Sequence, residues 1–265
     1  MGVGFRMFII KFGGSVITDK KQKYTFERST ILRLISEIKE AQKRTLVVHG
    51  AGSFGHIMAK EYELHKGYKN EGQIQAAAGV QKDVKHLNLM VLDSFLEIGI
   101  SAVSLAPSSF VINENGKIKS MDMGSFKRYF DMGFTPITFG DVVLDDAISF
   151  SICSGDQLML ELARTFLPEK AIFVADIDGI FSSAPQSDES PKLLPTIDED
   201  IFLSIKKSDS HVDDVTGSIY GKLEIMFEIA SLGLETIILN GRVENRLKEA
   251  LQGKDIVCTK IESRH

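Results

Sequence analysis

The chain has little that could staple, anchor or ligate. Among its 265 residues are only two cysteines, Cys153 and Cys258. Two thiols cannot build a disulfide framework, and no paired Cys/His sets stand at zinc spacing, so no metal site is expected. Cys153 reads as a small buried side chain rather than a nucleophile. No run of about 18 apolar residues is available to span a bilayer. The opening Met1-Gly2-Val3-Gly4-Phe5-Arg6 is too short for a signal peptide, so a cytoplasmic location away from membranes is expected. There is no basic excess either. A formal net charge of -5 argues against general nucleic-acid binding, and any anion site must therefore be local. What remains is an ordinary globular composition, 43% hydrophobic and 25% charged, long enough for a sizeable core.

Apolar runs and helical periodicities alternate along the whole length. Phe8-Ile9-Ile10 reads as a buried strand ending at Gly13-Gly14, and residues 26–43 as a helix carrying Ile31, Leu34, Ile35 and Ile38 on one face. Leu46-Val47-Val48 is a second strand, and a long helix is expected over residues 72–99. The stretch 111–120 looks like a hairpin turning at Asn113-Glu114-Asn115-Gly116. After a helix over 123–132 and a strand over 135–139, Ser154-Gly155-Asp156 opens a helix to about Leu167. A strand over 171–175, a polar loop over 182–191 and a helix from Thr216-Gly217-Ser218 to about Ser231 follow. Strands are expected at 236–239 and 256–259, with a helix between them. The pattern implies an α/β fold, a mostly parallel sheet covered on both faces by helices. No linker cuts the chain. One domain over 1–265 is expected, with lobes over about 7–150 and 151–265.

Chemistry collects at the glycines. Gly50-Ala51-Gly52-Ser53-Phe54-Gly55 has the G-x-G-x-x-G spacing of a dinucleotide loop. The acidic residue and second strand required about 20 positions later are missing, because Gln75-Ala76-Ala77-Ala78 falls inside a helix. The P-loop alternative fails as well, since His56 and Ile57 stand where Lys and Ser/Thr are needed. What both motifs share survives: glycines let amides approach an anion at a helix N-terminus. His56, expected in the first turn of that helix, would add a hydrogen bond to a phosphate oxygen. Three further loops, Lys11-Phe12-Gly13-Gly14-Ser15 with Lys20, Ser154-Gly155-Asp156, and Val215-Thr216-Gly217-Ser218 with Lys222, are expected at the same edge of the sheet.

The segments IIKFGGSVITDK, VVHGAGSFGH, GDVVLD, SICSGDQLMLELA, VADIDGIF and DVTGSIYGKLE together resemble the amino acid kinase superfamily. Within it, HGAGSFGH is similar to the isopentenyl phosphate kinases. The resemblance covers residues 7–260. It implies an open αβα sandwich, usually a homodimer, which uses ATP to convert isopentenyl phosphate to isopentenyl diphosphate. By the same analogy Ala51, Gly52, Gly55, His56 and Gly155 belong to the acceptor side. Lys11, Gly13, Gly14, Ser15 and Gly52 line the path of the ATP phosphates, and Gly217 falls in another nucleotide-side loop. Asp176, Asp178 and Gly179 fall in the nucleotide loop. Lys222 reaches the ATP phosphates, and Lys20 stabilises the transition state. Where members often carry a Gly-Gly pair, this chain has Gly217-Ser218.

Transfer between two phosphates presses anions together. Unit charges ~4 Å apart repel by ~4 kcal/mol at an effective dielectric of 20. Lys11, Lys20 and Lys222 with loop amides would supply the opposing charge, and Asp156 would hold two of the ammoniums in place. A phosphate acceptor is already an anionic nucleophile, so no general base is required. Mg²⁺ is expected to arrive with ATP rather than in a protein cage. Two rivals stay open: a related kinase for another phosphate or phosphonate such as fosfomycin, and a silent nucleotide-binding regulator on the same fold.

Overall fold

The computed structural model describes residues 7–19, 22–182, 191–208 and 219–263. Its elements in chain order are β1 (Met7–Phe12), α1 (Gly14–Ile17), α2 (Arg28–Ala41), β2 (Arg44–His49), α3 (Gly52–Glu61), α4 (Gly72–Glu97), β3 (Ala102–Ser104), β4 (Val111–Glu114), β5 (Lys117–Met121), α5 (Gly124–Asp131), β6 (Thr135–Phe139), β7 (Asp141–Asp145) and β8 (Ser149–Cys153). The remainder comprises α6 (Gly155–Phe166), β9 (Lys170–Ala175), β10 (Ile180–Phe181), β11 (Leu193–Leu194), β12 (Thr196–Ile197), α7 (Glu199–Ser208), α8 (Ile219–Ala230), β13 (Glu235–Asn240), α9 (Arg246–Leu251) and β14 (Thr259–Ile261).

Every residue of β1 is buried, which only a strand with neighbours on both edges and layers on both faces can satisfy. Parallel β2 and β9 flank it, at the middle of an eight-stranded sheet ordered β12-β14-β13-β9-β1-β2-β6-β3. Side chains of β1 alternate between two cores, as a period of two requires. Met7 and Ile9 pack with Leu158 and Leu162 of α6 and Leu223 and Met226 of α8. Phe8, Ile10 and Phe12 pack with Leu34 and Ile38 of α2, Leu87 and Phe95 of α4, and Leu247 of α9. The expected α/β sandwich is therefore present, with one departure from parallel order: β14 runs antiparallel to β13.

Several local expectations move. The helix expected from Phe26 begins at Arg28, because Phe26 bridges back to Thr18. The turn of the β4–β5 hairpin is only Asn115-Gly116, with φ of 51° and 75°, the primed turn that suits strand twist. The last strand lies at Thr259–Ile261 rather than 256–259, and α7 was not anticipated. Most of the expected polar loop, residues 183–190, lies outside the described residues.

The larger difference is a second sheet, ordered β5-β4-β7-β8. Gly155 therefore leaves a strand of this sheet, not of the main one as expected. Asp145 holds the two hairpins together. Its carboxylate accepts from the amides of Asn115 (3.0 Å), Gly116 (2.8 Å), Ala147 (2.9 Å) and Ile148 (3.1 Å), and from Ser151 Oγ (2.8 Å). None of the described helices is long and apolar enough to cross a membrane.

Candidate active site

Parallel neighbours deliver their following loops to one edge, and here two loops touch. Gly13 donates its amide to Val174 O (2.8 Å) and Gly50 to Phe12 O (3.0 Å), so each loop is tied to the next strand. A β-carbon on Gly14 would lie 2.7 Å from Gly52 Cα, and one on Gly50 would lie 2.8 Å from Gly14 N. No side chain fits at that crossing. Gly52 is also left-handed, with φ +49°, and faces Thr18, whose hydroxyl donates to Gly14 O (2.7 Å) and accepts from Ser53 N (3.0 Å). The first and second glycine loops thus form one floor.

The third loop arrives from the second sheet and lands on the same floor. Gly155 sits where a β-carbon would be 3.2 Å from Lys11 Cε, 3.3 Å from Val48 Cγ1 and 3.4 Å from His49 O. One β-carbon placed on Gly140 would stand 3.5 Å from the amide nitrogen of Gly155 and 3.8 Å from that of Ala51. Both amides leave their hydrogens without an acceptor among the described residues. Two helix starts, α3 and α6, therefore bring amides without an acceptor close to one small space beside Gly140.

Lys11 lies on the face of β1 that meets α6. Its buried Nζ is 2.5 Å from Asp156 Oδ1, and the Asp156 side chain is 20% exposed. Ser154 caps α6, accepting from Gln157 N (3.2 Å) while Gln157 Oε1 takes Ser154 N (2.9 Å). That capping box holds Gly155 and Asp156 in place. Gln157 Nε2 also donates to Gly116 O (2.7 Å), which locks the β4–β5 turn to the start of α6. Sequence reasoning passed over Gln157, although Ser154-x-x-Gln157 is a legible capping signal.

The other expected residues are distributed unevenly. His56 is exposed and falls in the second turn of α3, not the first, while Gly55 is buried against Ala51 and Val84. Ser15 Oγ donates to Asp176 Oδ1 (2.7 Å), and Arg242 donates to Ser15 O (2.9 Å). Asp178 turns the other way, toward Arg246 and Asn240, and the Arg246 guanidinium followed by the Asn240 amide lowers its pKa. Gly179 packs against Thr259, where a β-carbon would be 2.3 Å from Oγ1. Lys222 is half-buried in the first turn of α8, the helix packed on α6. Lys20 and Gly217 lie outside the described residues. Cys153 is fully buried, and burial pushes its thiol pKa far up, which leaves it inert. Among the described residues no three His, Cys, Asp or Glu side chains gather closely enough to hold a metal ion.

A floor of glycine amides, an ion pair between buried Lys11 and partly exposed Asp156, and two converging helix starts suit a protein that handles phosphoryl groups on an αβα sandwich. The model of the amino acid kinase family matches residues 6–240, and the chain belongs to that family. It is 36% identical to the isopentenyl phosphate kinase of Methanothermobacter thermautotrophicus, over 98% of this chain and all of the relative. It is likewise 36% identical to that of Thermoplasma acidophilum, over 91% and 94% of the two chains. A crystal structure of an isopentenyl phosphate kinase superposes with a TM-score of 0.83 at 34% identity, covering 96% of this chain and 99% of that one.

Proposed function

We propose that this chain is an isopentenyl phosphate kinase, transferring the terminal phosphoryl group of ATP to isopentenyl phosphate. The observation that carries the reading is the contact of Gly14 with Gly52, beside the amides of Ala51 and Gly155. A donor loop and an acceptor loop in backbone contact bring two phosphates into line without any side chain between them.

In this reading the acceptor phosphate lies against Ala51, Gly52, Gly55, His56 and Gly155. The ATP phosphates lie over Gly13, Gly14, Ser15 and Gly52, with Asp176, Asp178, Gly179 and Gly217 on the nucleotide side. Lys11, Lys20 and Lys222 offset charge that builds on the transferring group, and Asp156 aims Lys11 and Lys222. The donor set suits phosphate rather than a resident metal. Asp156 is taken up by Lys11 and Asp176 by Ser15, so any Mg²⁺ would be bound chiefly through ATP, where it would offset phosphate charge. A pair of identical chains in the cytoplasm is the working assembly.

ADP release with isopentenyl phosphate, glutamate, aspartate, uridylate and fosfomycin tests the reading. Isopentenyl phosphate should lead in kcat/KM by roughly 10²-fold or more, as a site shaped for one acceptor allows. ADP release led by fosfomycin, or none with any acceptor, would overturn it in favour of a phosphonate kinase or a silent regulator.

A further inference from the structure

His49 ends β2 directly beneath the glycine floor and is fully buried, its ring stacked on Phe139 with centroids 5.3 Å apart. Nδ1 lies 3.0 Å from Gly50 O, and Nε2 lies 3.2 Å from Asn88 Oδ1. Asn88 Nδ2 lies 2.5 Å from Ser104 Oγ. Burial, outweighing the Gly50 and Asn88 bonds, pushes the imidazole pKa down to about 4, so the ring is neutral at pH 7 and has one N–H. A carbonyl oxygen can only accept, so that hydrogen sits on Nδ1 and points to Gly50 O. Nε2 must then accept, which requires the Asn88 amide turned over from its orientation in the structure, NH₂ toward the ring and oxygen toward the Ser104 hydroxyl; exchanging the amide oxygen and nitrogen leaves the side chain in place.

A trans peptide plane points its C=O and N–H in opposite directions. Drawing the Gly50 carbonyl inward therefore turns the Ala51 N–H outward, toward the space it shares with Gly155 N. We infer that His49 is a positioning residue for the acceptor phosphate: through the Gly50 carbonyl it fixes the direction of the Ala51 amide. The inference rests on the reading above, in which the Ala51 and Gly155 amides receive that phosphate. The chain Ser104–Asn88–His49 in turn anchors this one peptide to β3 and α4.

His49→Asn and His49→Gln separate this role from packing. Asn places its amide nitrogen near the Nδ1 position, whereas Gln reaches toward the Nε2 position and Asn88. His49→Gln should raise KM for isopentenyl phosphate by about tenfold, the size of one lost phosphate hydrogen bond, with KM for ATP unmoved. His49→Asn should stay within about threefold of wild type. A packing role predicts the reverse, because Gln fills the site better; equal effects of both variants, or an equal shift in the two KM values, would also overturn the inference. Should neither variant fold, the wild-type amide resonances decide when isopentenyl phosphate is added. Downfield shifts at both Ala51 and Gly155 support the inference. A shift at Gly155 alone sinks the role of His49 but leaves the acceptor site standing, and no shift at either sinks that site as well.

Discussion

Asp145 and Asp156 lie on either side of β8 and are treated in opposite ways. Asp145 is buried and surrounded by four backbone amides and one hydroxyl. Burial alone would raise its pKa, but those donors outweigh it and hold the carboxyl at about 2. Asp156 is partly open and faces the ammonium of Lys11. A carboxylate saturated by fixed neutral donors has no lone pair left to offer and serves as a rivet. One that holds a movable cation can pass that cation to an arriving phosphate. Residue type is identical; the partners decide the role.

The sharpest way to break this contrast is Asp156→Asn. With its partner neutral, Lys11 loses its aim, and kcat should fall by about 10³-fold, ~4 kcal/mol of transition-state stabilisation, with the urea midpoint almost unchanged. Near-normal ADP release would put both aspartates in the structural class. Lys222→Ala and Lys20→Ala, each read in the same assay, should lower kcat by at least ~10²-fold in folded protein; full turnover in either removes that lysine from the mechanism.

Asp145→Asn should do the converse. Turning an NH₂ into a nest of N–H donors should cost about 2 kcal/mol in urea unfolding, while turnover of the folded protein stays within about threefold. The pH dependence follows from the sign of the shift. A carboxyl held below its unfolded value stabilises the fold above about pH 4, and that contribution is lost as pH falls toward 2. Acid unfolding of Asp145→Asn should lack this step, and a variant that kept it would transfer the effect to another group. The mildest expected effect is that of His56→Ala, a rise of about tenfold in KM for isopentenyl phosphate with kcat little changed. An unmoved KM would take exposed His56 out of the acceptor site.

The central layer was legible because its signals are local. Unbroken apolar runs at Phe8-Ile9-Ile10 and Leu46-Val47-Val48, each followed by glycine, could only be buried parallel strands. Ser154-Gly155-Asp156 likewise announced a capped helix. The β7–β8 hairpin was not legible. Its turn at Asp145–Ile148 has no glycine, and Ser149 takes a φ of +73° that nothing in the local sequence announces. Nor could the contact of Gly14 with Gly52 be read, since it joins positions far apart in sequence through the register of β1 and β2. His49 drew no reading from the sequence, and only its three-dimensional neighbours give its ring nitrogens a task.

The crossing of Gly14 and Gly52 has a consequence for how such a site changes over evolutionary time. Two main chains with no room for a β-carbon between them cannot accept a bulkier residue, so on the proposed reading the spacing between donor and acceptor loops is fixed by the scaffold. Adaptation to a longer or differently shaped acceptor is left to side chains standing around that fixed point. Diversity of substrate can accumulate at the walls while the geometry of transfer stays the same.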